Sequence, residues 1–253
     1  IPQAVYQIAR IVENFDFAAS KPFATNRDFK LEIQNRIKAE AKKAKVNVSE
    51  FTVETEKYLV DTLLDDARFA LQENANAVGW YNEKVSKALG VLSIIHPEIA
   101  TDVKSNFIFK WALAVTSNGI KVDKNFELAE QAYAFYKENN VLPEVFESGG
   151  EAREAMEIAF KTMNRLLAEK PFAELEEFMR TMHTVREVKE YTGRNVGGGY
   201  GLSEMVYGAA IAGPKIGNGF FANLYGQYEQ LTMDRWLMRT WGRVTATLVT
   251  DKT

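Results

Sequence analysis

The chain has 253 residues, 46% of them hydrophobic, enough for a sizeable core in one large or two small domains. A net charge of −3 and a pI near 5.7 exclude a protein that grips nucleic acid through its overall charge, leaving only a local basic face for such a role. The absence of cysteine excludes disulfides, thiolate nucleophiles, zinc fingers and cysteine-ligated iron–sulfur clusters.

Apolar residues recur at helical spacing along almost the whole chain, and no alternating run of β-branched residues is long enough to build a sheet. The expected class is all-α. Helices are expected over 2–15, 26–44, 49–73, 78–95, 105–117, 125–139, 150–169, 171–191, 202–212, 217–225 and 233–248. Pro97, Pro143, Gly149-Gly150, Pro171 and Gly197-Gly198-Gly199 mark turns, and Ser49, Thr101 and Ser203 are expected helix N-caps. The first 80 residues, with a charged helical stretch from Lys30 to Lys45 and an acidic one from Asp61 to Asp66 that read as solvated faces, read as an N-terminal helical extension, and 81–253 as the main domain.

The longest apolar stretches, Trp111–Val115 and Val206–Ala212, fall far short of the roughly 20 residues that a membrane span needs. The chain therefore reads as an intracellular, cytoplasmic protein, nucleoid-associated if bacterial or phage. With no initiator methionine and no signal-peptide pattern, it also reads as a trimmed chain or a piece of something longer.

Chemistry concentrates near the C-terminus. Residues 180–253 hold 9 Lys+Arg against 6 Asp+Glu, whereas 1–179 hold 22 against 28. The basic segment contains Gly213-Pro214-Lys215-Ile216-Gly217 and then Thr232-Met233-Asp234-Arg235-Trp236, whose aspartate stands nineteen residues after the lysine, with Arg239 and Arg243 beyond. A lysine at a turn between two helices lies near backbone N–H groups that favour an anion, and an aspartate opening the next helix can face the same cleft.

The segment from Leu202 to Arg243 resembles the helix-hairpin-helix DNA glycosylases of the endonuclease III and 8-oxoguanine glycosylase type. Their signature is a helix, a Gly-containing hairpin with a lysine at its second helix in bifunctional members, and hydrophobic-Asp-x-His-x-x-Arg-x-x-x-Arg. Met233 to Arg243 match its Asp and both Arg positions, and the spacing from Lys215 to Asp234 fits the family's pairing of those side chains in one pocket. Upstream, Asn106 to Asn118, followed by Val122 and Asn125, looks like the family's helix that ends in a Ser-plus-amide turn. The two matches span roughly residues 83 to 245, and the C-terminal forty are the specific part. Two departures stand out. The usual Leu-Pro-Gly-Val-Gly hairpin is Ala209-Ala210-Ile211-Ala212-Gly213 here, and Trp236, which cannot accept a proton, replaces the histidine.

The resemblance implies that 81–253 is a helix-hairpin-helix glycosylase-like domain, an orthogonal array of helices, and that the chain is a DNA glycosylase with AP lyase activity on double-stranded DNA carrying a damaged or modified base. Lys215 would be the nucleophile and Asp234 the electrostatic and acid–base partner, since glycosidic cleavage builds positive charge on the sugar. Gly213, Gly217, Arg239 and Arg243 would contact DNA, Asn118 would fill the gap left by the extruded nucleotide, and Gly219, Asn223 and Trp236 would line the base pocket. No cofactor, metal, nucleotide or membrane is expected, and the chain is expected to be a monomer.

An ordinary structural reading stands beside each of these. Asp234 fits a helix N-terminus with Thr232 as cap, Asn118 before Gly119 is a helix C-cap signal, and Trp236, Trp241, Phe220, Phe221 and Tyr225 have core-like spacing. His96 and His183 have no partner spacing for a metal. Gly208 to Lys215 lacks the P-loop's Gly-Lys-Ser/Thr and a preceding strand, and Gly197 to Gly201 lacks a βαβ context. Two other classes stay open: a helix-hairpin-helix module that binds DNA or protein without catalysis, phage or mobile-element encoded, and a helical interaction domain whose motif match is accidental.

Overall fold

A computed structural model describes residue 42, residues 52–73, 80–117, 120–145, 153–197, 200–213 and 215–227, and residue 232. The described chain is mostly helical, with nine α-helices and one two-stranded sheet among the described residues. No described helix is long and apolar enough to cross a membrane. The chain divides into two compact units, 1–80 with 234–253, and 81–233.

In the first unit the described element is α1 (Val53–Glu73), opened by Thr52, whose hydroxyl accepts from the Thr55 amide at 3.2 Å. Glu54 and Glu56 in its first turn suit the positive end of the helix dipole.

The second unit is built around α4 (Val103–Thr116). It follows α2 (Trp80–Ile95) and the single turn α3 (Glu98–Thr101), and it precedes α5 (Val122–Asn139), α6 (Arg153–Glu169) and α7 (Phe172–Arg180). Phe107, Ile108, Phe109 and Trp111 to Thr116 of α4 are all buried, so the helix has no solvent face over its last ten residues apart from Lys110. A helix apolar on all sides must be enclosed. Helices α3, α5 and α6, and the later turns near residues 216–223, supply the enclosure. Phe107 and Trp111 each meet Phe221 edge to face, with ring centres 5.7 and 5.5 Å apart. At its N-terminus Asp102 accepts from the Ser105 amide at 2.7 Å.

Local polar devices fix the connections. Asn140, with φ of 58°, ends α5 in the left-handed conformation that Asn tolerates. The Asn164 side chain of α6 then acts as a backbone surrogate: its Oδ1 accepts from Leu142 N at 2.7 Å and its Nδ2 donates to Leu142 O at 2.9 Å.

The structure corrects several sequence expectations. The helix expected over 171–191 is two helices, α7 and α8 (Val185–Thr192), separated by strand β1 (Met182–Thr184). The helix expected over 202–212 is strand β2 (Met205–Tyr207) followed by a 3₁₀ turn, Gly208–Ala212. The all-α class holds, with one small two-stranded sheet that was not expected: β1 and β2 pair antiparallel, Met182 with Tyr207 and Thr184 with Met205. Thr184 starts α8 with a capping box, accepting from Glu187 N at 3.2 Å while Glu187 Oε2 accepts from Thr184 N at 2.7 Å. Thr101 ends α3 and leaves the capping of α4 to Asp102, and Ser203 is an exposed turn residue. Ser49, Gly149, Gly150, Gly198 and Gly199 lie outside the described residues, as do the expected helices 2–15 and 233–248 and all of 26–44 except residue 42.

Gly208, where β2 turns into the 3₁₀ segment, lies so close to α7 that a Cβ there would run into the Phe178 carbonyl oxygen. Gly208→Ala should lower stability by about 1–3 kcal/mol in urea unfolding. Gly197→Ala, where a Cβ would meet nothing within 4 Å, should leave it unchanged.

The capping box also makes stability pH-dependent. Hydrogen bonds from Thr184 hold the Glu187 carboxyl below its usual range. Because the folded value is the lower one, the contribution is complete above the usual carboxylate range and fades as pH falls through the folded value. Glu187→Gln should be less stable than wild type at pH 7, and the two unfolding curves should converge in acid.

Candidate functional site

The site grows from the turn after β2. The 3₁₀ segment Gly208–Ala212 ends at Gly213, whose φ of 120° is open to glycine and strained for other residues. Gly213 N donates to Ala210 O at 3.0 Å, and Gly213 O accepts from Gly217 N at 3.0 Å, so the chain reverses and re-enters helical geometry at once. A wide π-type turn, Ile216–Phe220, then runs into α9 (Phe221–Asn223). Gly217 is buried against Ala210, and a Cβ at Gly217 would overlap the Ala210 Cα and Cβ. The backbones of the two helical segments can touch only because that position carries no side chain. Gly219 is buried inside the π turn with φ of 119°.

This crossing delivers Lys215 to the C-terminal end of α4. Its Nζ donates to Ser117 O at 3.0 Å and to Ser117 Oγ at 2.7 Å, across 98 residues of sequence. Ser117 is 8% exposed, and its own hydroxyl donates to Ala114 O at 2.7 Å. With that proton committed, the hydroxyl oxygen presents lone pairs to the ammonium. The last carbonyls of α4 carry the negative end of the helix dipole, which also favours a cation. The Phe220 ring completes the setting, its centre 4.5 Å from Nζ. One residue earlier, the Thr116 hydroxyl lies 2.7 Å from Asn125 Oδ1 and ties the end of α4 to the first turn of α5.

Of the sequence-predicted residues, Gly213, Lys215, Gly217, Gly219 and Asn223 are described and lie within one short stretch. Asn223 works inside the protein: its Oδ1 accepts from Thr232 Oγ1 at 2.7 Å and its Nδ2 donates to Gln227 O at 2.7 Å. Asn118, Asp234, Trp236, Arg239 and Arg243 lie outside the described residues. Among the described residues no group of three or more His, Asp or Glu side chains is placed to hold a metal ion. His96 is buried, with Nε2 3.1 Å from Glu130 Oε1 and its ring edge-on to Tyr133, and His183 stacks on Phe178 at 3.9 Å.

Sequence reasoning missed a second polar cluster, formed by Lys110, Glu176, Arg180 and Tyr225. Its one sequence signal was Lys110, the single charge in an otherwise apolar run from Phe107 to Val115. No protein-family model, curated protein or solved structure matches the chain.

The lysine contact is testable by a double-mutant cycle. Lys215→Met and Ser117→Ala should each destabilise the protein, and the pair should couple by about 1–2 kcal/mol in urea unfolding. Strict additivity would mean that the contact contributes nothing in solution.

Proposed function

We propose that the chain is a DNA N-glycosylase with associated AP lyase activity, on a scaffold in which a strand and a 3₁₀ turn stand where a helix-hairpin-helix would have its first helix. The observation that supports this best is the bond between Lys215 and Ser117. The two segments that separately resemble the glycosylases, the turn ending the buried helix and the hairpin bearing the lysine, meet side chain to side chain at 2.7 Å. An accidental match in two distant segments carries no expectation that they touch.

On this reading the target nucleotide leaves the base stack and enters a cleft beside the hairpin. Lys215, once deprotonated, attacks C1′; the C1′–N bond breaks and its electron pair leaves with the base, which takes up a proton. The sugar ring then opens, giving a Schiff base between C1′ and Nζ, and elimination of the 3′ phosphate follows. Asp234 stabilises the positive charge that builds on the sugar.

A second reading is supported by the same contact. Two acceptors at a helix C-terminus already engage Lys215 Nζ, and the hairpin departs from the usual Leu-Pro-Gly-Val-Gly. A DNA-binding module without catalysis would keep the lysine in that state permanently.

Borohydride reduction separates the two. With duplexes carrying an abasic site or one of a panel of damaged bases, the wild-type chain should give a covalent protein–DNA adduct, and Lys215→Gln should give none while still binding the duplex. Asp234→Asn should slow base release about a hundredfold or more. Duplex binding without an adduct from the wild-type chain would select the non-catalytic module.

A further inference from the structure

Two turns back along α4 from Ser117, Lys110 points a second cation into a mostly buried environment. Its Nζ lies 3.8 Å from the centre of the Tyr225 ring, and the Arg180 guanidinium carbon lies 4.2 Å from the same centre. Two like charges thus share one ring, and they repel. A single carboxylate offsets them: Glu176 accepts from Arg180 Nη1 at 2.6 Å. Lys110 makes no hydrogen bond or ion pair among the described residues.

Two buried donors at the same place also lack an acceptor among the described residues, Arg180 Nε and the Tyr225 hydroxyl. Native proteins rarely leave buried donors unpaired. The phenol is a donor at neutral pH, because burial and then the Glu176 charge hold its proton well above the usual phenol range. Burial, and then the Arg180 charge, push the Lys110 ammonium below the usual lysine range, while Glu176 pulls it back. Beyond the carboxylate of Glu176, the Lys110 ammonium, Arg180 Nε and the Tyr225 hydroxyl lack the same thing among the described residues, an acceptor.

We propose that Lys110, Arg180 and Tyr225 form a phosphate-binding site, in which the ammonium, the Arg180 Nε–H and the Tyr225 hydroxyl each donate to a phosphate oxygen. The donors come from three elements, α4, the end of α7 and the segment after α9, and gather around the Tyr225 ring. All three residues are partly exposed, but Arg180 Nε and the Tyr225 hydroxyl are themselves buried, so the ligand reaches them only as these side chains shift. This site does not depend on the lysine chemistry proposed above.

The phosphate has two sources, a free phosphate or phosphomonoester, or the backbone of a bound DNA strand. Lys110 and Ser117 are seven residues apart, which places them on one face of α4 about 10 Å apart along its axis. The DNA source rests on the reading of Lys215 as a DNA-directed residue.

The test is thermal unfolding at pH 7 in phosphate, with acetate and chloride at matched ionic strength. Phosphate should raise the wild-type melting temperature saturably, as a ligand of the folded state does, and acetate and chloride should not. Lys110→Met and Tyr225→Phe should each weaken the apparent phosphate affinity about tenfold or more, while Lys121→Met, on an exposed residue, leaves it unchanged. The absence of a phosphate-specific rise in the wild type, or a rise that persists in both Lys110→Met and Tyr225→Phe, overturns the proposal; if one variant does not fold, the other decides. For the source, duplex binding is measured against salt: loss of about one unit of slope in Lys110→Met assigns the backbone phosphate. An unchanged slope, or no duplex binding, beside an intact phosphate response assigns free phosphate. Borohydride trapping reports on Lys215 alone, so either proposal can fail without the other.

Discussion

The enclosure of α4 is the constraint on which the second unit depends. From Phe107 to Thr116 the helix offers apolar surface in every direction but one, so it is stable only when its neighbours surround it. The large side chains Phe107, Trp111 and Phe221 meet edge to face and join α4 to the chain that follows the 3₁₀ turn. A helix so wrapped has almost nowhere to put polar groups except at its ends. Asp102 and Asn106 serve the N-terminal end, where the Asn106 amide donates to Ile99 O at 2.8 Å. Thr116 and Ser117 serve the other.

The C-terminal end of such a helix poses a definite problem: its last carbonyls have no intrahelical donors and little access to water. Lys215 meets that need for Ser117, and it can do so because the backbone around it is nearly bare. Gly213 takes a conformation that a Cβ would strain, and Gly217 lets the π turn lie directly on Ala210. Bulk at either position would move the lysine away from α4. The glycines thus act on the site through backbone placement, which is why they matter without touching anything chemical themselves.

Much of this was legible in the sequence, and the rest was hidden for physical reasons. The long helices α5 and α6 show themselves because one-sided burial imprints a 3.6-residue period, and α4 shows itself as an apolar run too long for an ordinary strand. Strands of three residues imprint nothing: β1 and β2 are held by pairing across some 25 residues, from Met182 to Tyr207, and by the close approach of Gly208 to Phe178. One local signal was readable and overridden, the Thr-x-x-Glu of Thr184 and Glu187, a capping box inside what the periodicity presents as one helix. At the site, the Gly213 to Gly217 turn and Ser117 were each visible as local features of the sequence, but their bond through Lys215 is a tertiary fact. The Lys110, Arg180 and Tyr225 cluster combines three elements, and no spacing rule connects residues 110, 180 and 225.

The Lys215 contact bears differently on the two functional readings, and the difference is one of magnitude. A hydrogen bond to a charged group contributes about 1.5–3 kcal/mol, and the dipole at a helix C-terminus typically adds about 0.3–1 kcal/mol. Together these hold the ammonium in place but do not immobilise it, because binding a nucleotide chain supplies more free energy than that. The contact therefore suits a resting position, in which Ser117 orders the lysine until substrate displaces it. It suits a permanent tether equally well in a protein that never offers the lysine a substrate. What distinguishes them is whether any group takes the proton when Lys215 leaves Ser117. A serine whose own hydrogen is already committed to Ala114 O cannot donate to the amine, and a backbone carbonyl is too weak a base to take its proton. The proton must pass to some other base or to water before the amine can attack.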